Sequence, residues 1–528
     1  MKNLQFITII SSVLIAVILV LVTPTISAQP GRMFFGSQQP QLSVTDNKLD
    51  VIWDYYNPDD SMYLVTSSDG GSSFSEKIHL NKNSTWDMGI GNTVINDNNV
   101  YHVWTQLSEG TQIFFVKSHD YGLTFTEPMI ITGNQNTLQH AEIDKFFASG
   151  NNIYVVWSIN RFLSNQPVGT LFLSKSTDGG ISFAEPIVLS EKDIAWSDLQ
   201  TAITGNKIYF MWQSPISQEC VQDNCNAQIH IRSMENNSLG EIYYPIVVHN
   251  TEPLKISASG DNVYLTGVTY VTDSLSHVVN GVRVNYVNVT APQWISFTKS
   301  VDGGITFDKI VNLSGTRHHC TLGSSGGVCE IAGVYSYPVG KNIYTIWSAS
   351  NYTANASNAF FISSTDNGNT FGNVIQLNPY GLDNVICTFA DPCVNIQASS
   401  ISPDAVFLVW NAGKANMNGD HVIFAKSIDA GKSFDYNDIS NVTKITSQPV
   451  LSLGSGVIYV AGTRSGFPEG NHEFLTTSTD DGNTFSNGVD LDVKNEVSIP
   501  EFPFTIPILL VGITSILGFY RMKSSFRI

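Results

Sequence analysis

The eight residues STDGGISF, from Ser176 to Phe183, recur along this chain as the pattern Ser-x-Asp-x-Gly-x-Ser/Thr-Phe. The other copies are SSDGGSSF from Ser67, SHDYGLTF from Ser118, SVDGGITF from Ser300, STDNGNTF from Ser364, SIDAGKSF from Ser427 and STDDGNTF from Ser478. Successive copies start 51, 58, 124, 64, 63 and 51 residues apart. Because 124 is twice 62, we expect one degenerate copy, at Arg232–Asn236, and hence eight units.

A second pattern recurs once in each unit, at the same spacing as these boxes. Each unit carries an alternating strand that ends in Trp or, in two units, reads VYLTG or IYVAG. The Trp positions are Trp53, Trp104, Trp157, Trp212, Trp347 and Trp410. Period-2 alternation broken by frequent turn residues predicts short antiparallel strands. About four strands in each unit of 40–60 residues predict an all-β propeller of eight blades, with seven blades and a decorated insert as the alternative.

The residue types of the box have a physical explanation. Asp and Ser side chains cap backbone amides in a tight turn, Gly supplies positive φ, and Phe packs into the blade. The copies resemble the Asp-boxes of the sialidase (BNR-repeat) superfamily, and the resemblance covers about Leu42 to Val493. It implies that each box joins the third and fourth strands of a blade and that its Asp is structural. These residues are Asp69, Asp120, Asp178, Asp302, Asp366, Asp429 and Asp480.

Composition excludes one class of partner. The 528 residues carry a net charge of −18, so the chain would repel a phosphate backbone, and we predict no nucleic-acid partner. The hydrophobic content of 42% is enough for a large buried core.

The N-terminus predicts export. A basic start, the apolar run from Ile7 to Val22 and small residues up to Ala28 are typical of a signal peptide, residues 1–28, with an uncleaved anchor as the alternative. The body, residues 33–495, is the predicted propeller, and Met33–Phe35 are a candidate clasp strand for its last blade.

The C-terminus predicts an anchor. After a linker, residues 496–503, the chain is free of charge from Phe502 to Tyr520, and these 19 residues span about 28 Å as a helix, one hydrocarbon thickness. We assign residues 504–520 to the membrane and the basic residues 521–528 to the cytoplasm, which leaves the propeller outside. Residues 499–503, IPEFP, resemble the PEF sorting tails of archaeal surface proteins. That resemblance implies either a retained anchor or a tail exchanged for a lipid at the cell surface.

Six cysteines form three close pairs, which in an exported chain predict disulfides that close small loops. The predicted bonds join Cys220 with Cys225, Cys320 with Cys329 and Cys387 with Cys393. Seven Asn-x-Ser/Thr sequences permit glycosylation, at Asn83, Asn236, Asn288, Asn312, Asn351, Asn355 and Asn441.

The long connections fall on one side of the predicted propeller. With the strands of a blade named A to D from the centre outwards, the A–B turns share the box face, and the B–C and D–A connections form the opposite, loop face. The predicted long B–C loops are Ser158–Thr170, Ser214–Ala227, Tyr270–Gln293, Ala349–Asn358 and Ala412–His421, and the D–A loops are Gly315–Glu330 and Asn378–Cys393. Propellers bind ligands with such loops, so we expect a glycan or an extracellular protein to bind there.

Carboxylates occur near the start of several A strands and either ring the channel mouth or only solvate it: Asp87, Glu142, Asp144, Asp198, Glu252 and Glu330. Trp86, Trp196 and Trp294 lie in or beside the loops and fit either sugar stacking or blade packing.

The sialidase resemblance also implies a catalytic template of three arginines, an acid–base Asp and a Tyr nucleophile paired with a Glu. The candidates are Arg161, Arg283, Arg317 and Arg464, with Tyr335 or Tyr337 beside Glu330. The chain departs from the template, because its first unit has no Arg-Ile-Pro and it has eight units instead of six.

We therefore predict a non-catalytic binding module, with a sialidase-like glycoside hydrolase and a structural cell-envelope component as alternatives. The histidine pair His318-His319 has no evident further ligands, so neither a metal nor a cofactor is predicted.

Overall fold

The computed structural model describes residues 40–45, 47–55, 61–80, 93–96, 98–107, 111–133, 140–163, 166–190, 197–215, 226–249, 254–279, 282–314, 330–351, 356–377, 397–402, 405–412, 421–454, 456–466, 470–492 and 496–497. Within these ranges the strands form eight sheets, seven of consecutive strands and one in which the last strand of the chain joins the first four. The predicted eight-bladed β-propeller is confirmed, and the seven-bladed alternative is wrong.

The strands follow the chain from blade to blade, in the order A to D. Blades 1 and 2 hold β1 (Gln41–Thr45), β2 (Lys48–Tyr55), β3 (Ser61–Ser67), β4 (Lys77–His79), β5 (Thr93–Asn96), β6 (Asn99–Leu107), β7 (Thr111–Ser118) and β8 (Met129–Ile130). Blades 3 and 4 hold β9 (His140–Ser149), β10 (Asn152–Leu163), β11 (Gln166–Ser176), β12 (Ile187–Val188), β13 (Ser197–Thr204), β14 (Lys207–Pro215), β15 (Asn226–Glu235), β16 (Ser238–Tyr243) and β17 (Val247–His249).

Blades 5 and 6 hold β18 (Lys255–Ser259), β19 (Asn262–Val279), β20 (Val282–Ser300), β21 (Val311–Asn312), β22 (Glu330–Val339), β23 (Asn342–Asn351), β24 (Ala356–Ser364) and β25 (Ile375–Gln376). Blades 7 and 8 hold β26 (Gln397–Ser402), β27 (Ala405–Ala412), β28 (His421–Ser427), β29 (Asp435–Asp438), β30 (Ser447–Gly454), β31 (Val457–Gly466), β32 (Gly470–Ser478) and β33 (Val489–Asp490). Strand β34 (Glu496–Val497) joins blade 1, and the helix α1 (Ser440–Thr443) precedes β30.

The strand-ending tryptophans are buried packing residues. Trp157 of strand B faces Phe172 of strand C directly across the sheet, with ring centroids 4.5 Å apart, and no part of Trp157 is exposed to solvent. Cross-strand aromatic pairs of this kind stabilise a sheet beyond the burial of their area. The equivalent pairs are Trp53–Tyr63, Trp104–Phe114, Trp212–His230 and Trp347–Phe360.

The hydrophobic core lies between blades. One cluster, for example, joins Leu171 and Leu173 of blade 3 to Phe210 and Trp212 of blade 4. Each sheet therefore buries both of its faces against its neighbours, so these strands read as nearly continuous apolar runs.

The box is a self-contained hydrogen-bonded turn between strands C and D. In blade 3 the Gly180 amide donates to Ser176 Oγ, which in turn donates to Asp178 Oδ1. The Ser182 amide donates to Asp178 Oδ1 over 3.0 Å, and the Ser182 hydroxyl donates to Oδ2 over 2.6 Å. The Asp thus bonds donors on both sides of the turn, which explains the spacing of Ser, Asp, Gly and Ser/Thr.

Each box also packs on the blade before it. A Cβ atom at Gly180 would lie 2.6 Å from Cζ of Phe115 in blade 2, while the box Phe183 meets Phe115 edge-on at 4.8 Å. Three further boxes repeat this contact through the ring pairs Phe371–Phe297, Phe434–Phe361 and Phe485–Phe424. Gly is therefore required at this position for two reasons, its positive φ and the close approach of the ring.

A lysine just before the box Ser reaches forward to the next blade. Lys117 Nζ donates to the Gly179 carbonyl over 3.1 Å, and Lys299 Nζ donates to the Asn367 carbonyl over 3.3 Å. Burial lowers the pKa of Lys117, although Asp178 nearby opposes that shift. Neighbouring blades are thus joined by a charged donor on a peptide carbonyl as well as by apolar packing.

The degenerate box lies where the spacing predicts it. Asn236 and Asn237 form the turn between β15 and β16 with φ of 47° and 66°. Arg232 Nη1 donates to the carbonyls of Val188 and Leu189 in blade 3. Arg232 therefore also ties neighbouring blades together.

Ring closure is made at the C-terminus. Strand β34 pairs in parallel with β4 of blade 1, and Lys77 Nζ of β4 lies 3.2 Å from Asp492 Oδ1, just after β33 of blade 8. Blade 8 takes all four of its strands from residues 447–490, so it needs no N-terminal strand. The candidate clasp Met33–Phe35 lies outside the described residues.

One predicted loop is a hairpin instead. Residues 270–293, expected to be a loop, continue strands β19 and β20, which pair from Val263↔Ser300 out to Val279↔Val282. Asn280-Gly281 separates the two strands in the sequence, and Asn-Gly between β-branched runs is a strong hairpin signal. The predicted loop at 158–170 is likewise largely strand, in β10 and β11.

The described part of the chain contains no helix long and apolar enough to cross a membrane. The predicted signal peptide and anchor lie outside it.

The predicted disulfides gain no support from the structure. No disulfide occurs among the described residues, because every cysteine of the chain lies outside them. The positions concerned are Cys220, Cys225, Cys320, Cys329, Cys387 and Cys393. The pairing of Cys220 with Cys225, of Cys320 with Cys329 and of Cys387 with Cys393 therefore stays a prediction.

We expect Gly431→Ala to destabilise the chain more than Gly456→Ala. Both glycines have positive φ, 81° and 78°, so both variants suffer a left-handed penalty of about 1 kcal/mol. Only the Cβ added at position 431 would clash, 2.3 Å from Phe361 Cε1, at a further cost of about 1–3 kcal/mol. Urea unfolding of the soluble chain, residues 29–501, measures the difference, and equal losses would show that the box–ring contact contributes nothing.

Lys77→Met should lower the free energy of unfolding by about 3–5 kcal/mol, because it leaves the buried Asp492 carboxylate without its cation. The matched control is Lys207→Met, whose partners Glu235 and Asp261 are 50% and 66% exposed. For an exposed pair the loss should stay below about 1 kcal/mol. Similar effects of the two variants in urea unfolding would contradict the assigned closure role of Lys77.

Candidate functional site

On the box face of the propeller, polar groups of the turns already have hydrogen-bond partners within the protein. On the box face, A–B turns and boxes bond to one another: the Tyr121 amide donates to the Asn98 carbonyl, and the Gly179 amide to the Asn151 carbonyl. The box carboxylates accept hydrogen bonds within their own turns. This confirms that the A–B turns share the box face, so the B–C and D–A connections lie on the opposite, loop face.

The innermost strands are irregular toward the loop face. In blade 3, Lys145 pairs with Val156 and Ile143 pairs with Trp157, so Asp144 is an extra residue in a β-bulge. Comparable extra residues lie opposite Trp212, Trp347 and Gly462 in blades 4, 6 and 8, at 198–199, 333–334 and 448–449. Bulges redirect side chains and are frequent beside functional sites. Two of the predicted rim carboxylates, Asp144 and Asp198, occupy such positions.

Asp144 has an unusual environment among the described carboxylates. Burial raises the pKa of Asp144 to about 7, the Glu142 carboxylate beside it pushes in the same direction, and Ser158 and Lys145 oppose them. The Oδ2 atom is buried and has no hydrogen-bond partner among the described residues. A buried carboxylate oxygen without a donor disfavours the charged form, which accounts for the direction of the shift.

This arrangement gives Asp144 two chemical abilities near neutral pH. When protonated it can donate a hydrogen bond, and when ionised it accepts one, so it matches hydroxyl groups that do both. A carboxyl group with a pKa close to the working pH also suits proton transfer. Perturbed carboxyl groups of this kind cluster at functional sites.

The structure describes the arginine candidates unequally. Arg464 is exposed near the end of β31 that faces the loops, opposite His472. Arg161 lies on β10 opposite Val168, and Arg283 lies on β20 opposite Val278, near the tip of the long hairpin. Arg317 lies outside the described residues. The arginine triad therefore stays a prediction.

The tyrosine candidates lie on the innermost strand of blade 6. Tyr335 is 41% exposed and follows the bulge opposite Trp347. Tyr337 is partly buried against the cluster around Tyr344 and Phe361, which favours packing as its role. Glu330 begins the same strand, five residues before Tyr335, and their pairing stays a prediction.

The remaining rim residues are only partly described. Glu142 is exposed and pairs with Ser158, and Trp294 is partly buried opposite Thr269. The positions outside the described residues are Asp87, Glu252, Trp86, Trp196 and the His318-His319 pair.

One side-chain cluster has the composition of a metal site. His472, Asp490 and Asp492 present ligand atoms within 4.8 Å of one another. Protein partners already use them: His472 Nδ1 lies 2.8 Å from Asp490 Oδ2, the Glu473 amide donates to Asp492 Oδ2, and Lys77 pairs with Asp492 Oδ1. A cation would have to compete with the Lys77 ammonium, so we assign the cluster to ring closure.

Comparisons with known proteins concern the fold. No family model and no curated protein sequence matches the chain. An ulvan lyase of polysaccharide lyase family 25 is 10% identical, with coverage of 88% of this chain and 99% of the lyase and a TM-score of 0.37. The NanB sialidase from Streptococcus pneumoniae is 11% identical, with coverage of 87% and 86% and a TM-score of 0.31. A puromycin-hydrolysing peptidase from Mycobacterium tuberculosis is 8% identical, with coverage of 82% and 59% and a TM-score of 0.40. No residue role is transferred from them.

Sequence reasoning singled out Asp144 only as one rim carboxylate among several. Its distinguishing features are the bulge and the neighbouring Ser158, and these depend on strand register. The lysines that reach the next box were missed, although a Lys-Ser pair opens several boxes, as at Lys117, Lys175, Lys299 and Lys426.

Asp144→Asn should raise the free energy of unfolding, relative to that of the native chain, by more at pH 8 than at pH 4. An unfolded Asp titrates near about pH 4, whereas the folded Asp144 holds its proton up to a pKa of about 7. The stability of the native chain therefore falls as the pH rises through this window, by up to about 4 kcal/mol, and the amide removes that loss. The measurement is urea unfolding of both chains at the two pH values.

Glu127→Gln is the control for this experiment, since Glu127 is an exposed carboxylate in blade 2 and does not lie beside Asp144. Its effect on stability should be nearly the same at pH 4 and pH 8. A pH-independent effect of Asp144→Asn would show that Asp144 does not titrate in this range.

Proposed function

We propose that this chain is an exported, membrane-anchored propeller that binds a glycan at the centre of its loop face. One observation carries the proposal: Asp144, on an innermost strand, has a buried carboxyl oxygen with no hydrogen-bond partner among the described residues. Sugar hydroxyl groups both donate and accept hydrogen bonds, so they can satisfy this oxygen in either protonation state. Export and anchoring rest on the two terminal apolar stretches of the sequence.

Other features support the location. The hairpins of blades 3 and 5 extend the loop face, with β19 and β20 reaching 18 and 19 residues. Exposed Tyr335 and Arg464 lie on the same side and supply an aromatic ring and a cation for recognition. The net charge of −18 disfavours a polyanionic partner.

A glycan screen with the soluble chain, residues 29–501, tests this proposal. For a glycan that binds, Asp144→Val should weaken the affinity about tenfold, the loss expected for one hydrogen bond to a buried polar group. Glu127→Val is the control, because Glu127 is an exposed carboxylate that follows a box in blade 2. Binding that both variants retain, or the capture of a protein ligand with no glycan bound, would contradict the proposal.

A second candidate function is glycan cleavage. The observation that favours it is the pKa of about 7, to which burial raises Asp144, because such a group can donate a proton to a leaving oxygen near neutral pH. The sialidase resemblance of the boxes makes a fluorogenic sialoside the first substrate to try. Turnover that disappears in Asp144→Asn and in the alanine variants of Arg161, Arg283, Arg317 or Arg464 would establish an enzyme. Absence of turnover in the folded chain would exclude sialidase activity.

A further inference from the structure

The degenerate box of blade 4 is a short, exposed turn. Asn236 and Asn237 join strands β15 and β16, with Glu235 paired to Ser238 at the base of the turn. Both asparagines have positive φ, as a two-residue type I′ turn requires, and Asn tolerates that region better than most residues. All four residues are exposed. The turn joins strands C and D as the boxes do, so it lies on the box face.

This turn carries an Asn-x-Ser sequence at the position of the lost box. Met234, opposite Ile208, holds the place that the box Ser holds in other blades. Two residues further on, Asn236 stands where those blades have the box Asp, and Asn236-Asn237-Ser238 is an acceptor sequence for N-linked glycans. The seven intact boxes contain no such sequence. An acceptor sequence therefore occurs at a box position only in the blade that lacks the box Asp.

The native turn is compatible with a sugar on Asn236. Asn206 Nδ2, in the A–B turn of the same blade, donates to Asn236 Oδ1. An N-linked sugar is attached at Nδ2, and Oδ1 remains an acceptor afterwards, so the contact with Asn206 can persist. Asn237 is held by blade 3, because Tyr154 Oη donates to Asn237 Oδ1 over 3.3 Å. Modification of Asn236 therefore requires no change in these contacts.

Two other Asn-x-Ser/Thr sequences have described side chains, and in both the asparagine is exposed. They start at Asn312 on β21 and at Asn441 in α1. The hydroxyl two residues further on is buried in each case, since Ser314 is 5% exposed and Thr443 is 0% exposed. Both hydroxyls also bond within the protein. Ser314 Oγ donates to Asn312 Oδ1 over 3.1 Å, and Thr443 Oγ1 donates to the Ile439 carbonyl over 2.7 Å.

The accessibility of the hydroxyl distinguishes these three sequences. Ser or Thr at the third position defines the acceptor sequence, so the transferring enzyme has to read that residue as well as the Asn amide. Ser238 is exposed in the folded chain. Ser314 and Thr443 become accessible only when the chain around them opens locally. Exposure of the asparagine alone would not separate the three positions.

We propose that Asn236 is an acceptor of an N-linked oligosaccharide in the folded propeller. Asn236 Nδ2 loses a proton and bonds to the anomeric carbon of the sugar. The bond from that carbon to a phosphate oxygen of a lipid-linked donor breaks, and the lipid phosphate leaves. In the cell this step depends on the export proposed above. The glycan adds polar bulk on the box face, opposite the loop face to which the ligand is assigned.

The test is transfer in vitro to the purified full chain in detergent micelles. An oligosaccharyltransferase that reads Asn-x-Ser/Thr is added with its lipid-linked oligosaccharide, and mass spectrometry of the digested chain measures the occupancy of each asparagine. We expect transfer to Asn236 to be at least about tenfold faster than transfer to Asn312 or Asn441, because local opening has to precede transfer at those two positions.

Short synthetic peptides that span each of the three sequences are the matched control. They present every hydroxyl to the enzyme, so all three should be modified at similar rates. Equal rates at the three positions of the folded chain would overturn the proposal. So would an unmodified Asn236 in the chain, whether or not its peptide accepts the sugar.

Two variants of the turn separate recognition from folding. Ser238→Ala should abolish transfer to Asn236 and Ser238→Thr should preserve it, because only the second retains a hydroxyl. Transfer to Asn236 that persists in Ser238→Ala would overturn the assigned sequence. The enzyme and the donor are added to purified chain, so a failure of export, or of glycan binding at Asp144, leaves this result unchanged.

Discussion

The box carboxylate and the glycine beside it are the constraint on which the rest of the propeller depends. In blade 3, Asp178 gathers donors from both sides of the turn, and this holds Gly180 at positive φ against Phe115 of the preceding blade. A lysine from that blade, Lys117, then reaches a carbonyl of the same turn. Repeated around the ring, these contacts fix the position of each sheet relative to the one before it.

The difference between the turns of the box face and the longer connections of the loop face follows from that constraint. Boxes and A–B turns bond to one another, and the Trp–aromatic pairs pack inside the blades. Connections on the opposite face are not part of these contacts between blades. They can therefore lengthen into hairpins such as β19–β20 without disturbing the ring. The inner-strand bulge that carries Asp144 lies toward this side, where the carboxyl is partly buried and its Oδ2 atom has no hydrogen-bond partner among the described residues.

The ring is closed by residues at the C-terminal end of the propeller. Asp492, Lys77 and the parallel pairing of β34 with β4 join the last blade to the first and also set the direction in which the chain leaves. A closure that used an N-terminal strand would have left the C-terminal direction free. Closure of the ring therefore depends on a few residues at the C-terminal end of the propeller.

The sequence by itself determined the fold class, the number of blades and the place of the degenerate box, because a local turn that repeats at a regular spacing records each blade in one stretch of chain. It also identified Asp144, Tyr335 and Arg464 as residues of one face. Tertiary structure alone decided which of them has an altered environment. The burial of Asp144, its bulge opposite Trp157 and the reach of Lys117 to Gly179 depend on strand register and on contacts between blades some 60 residues apart, and periodicity carries no information about those contacts.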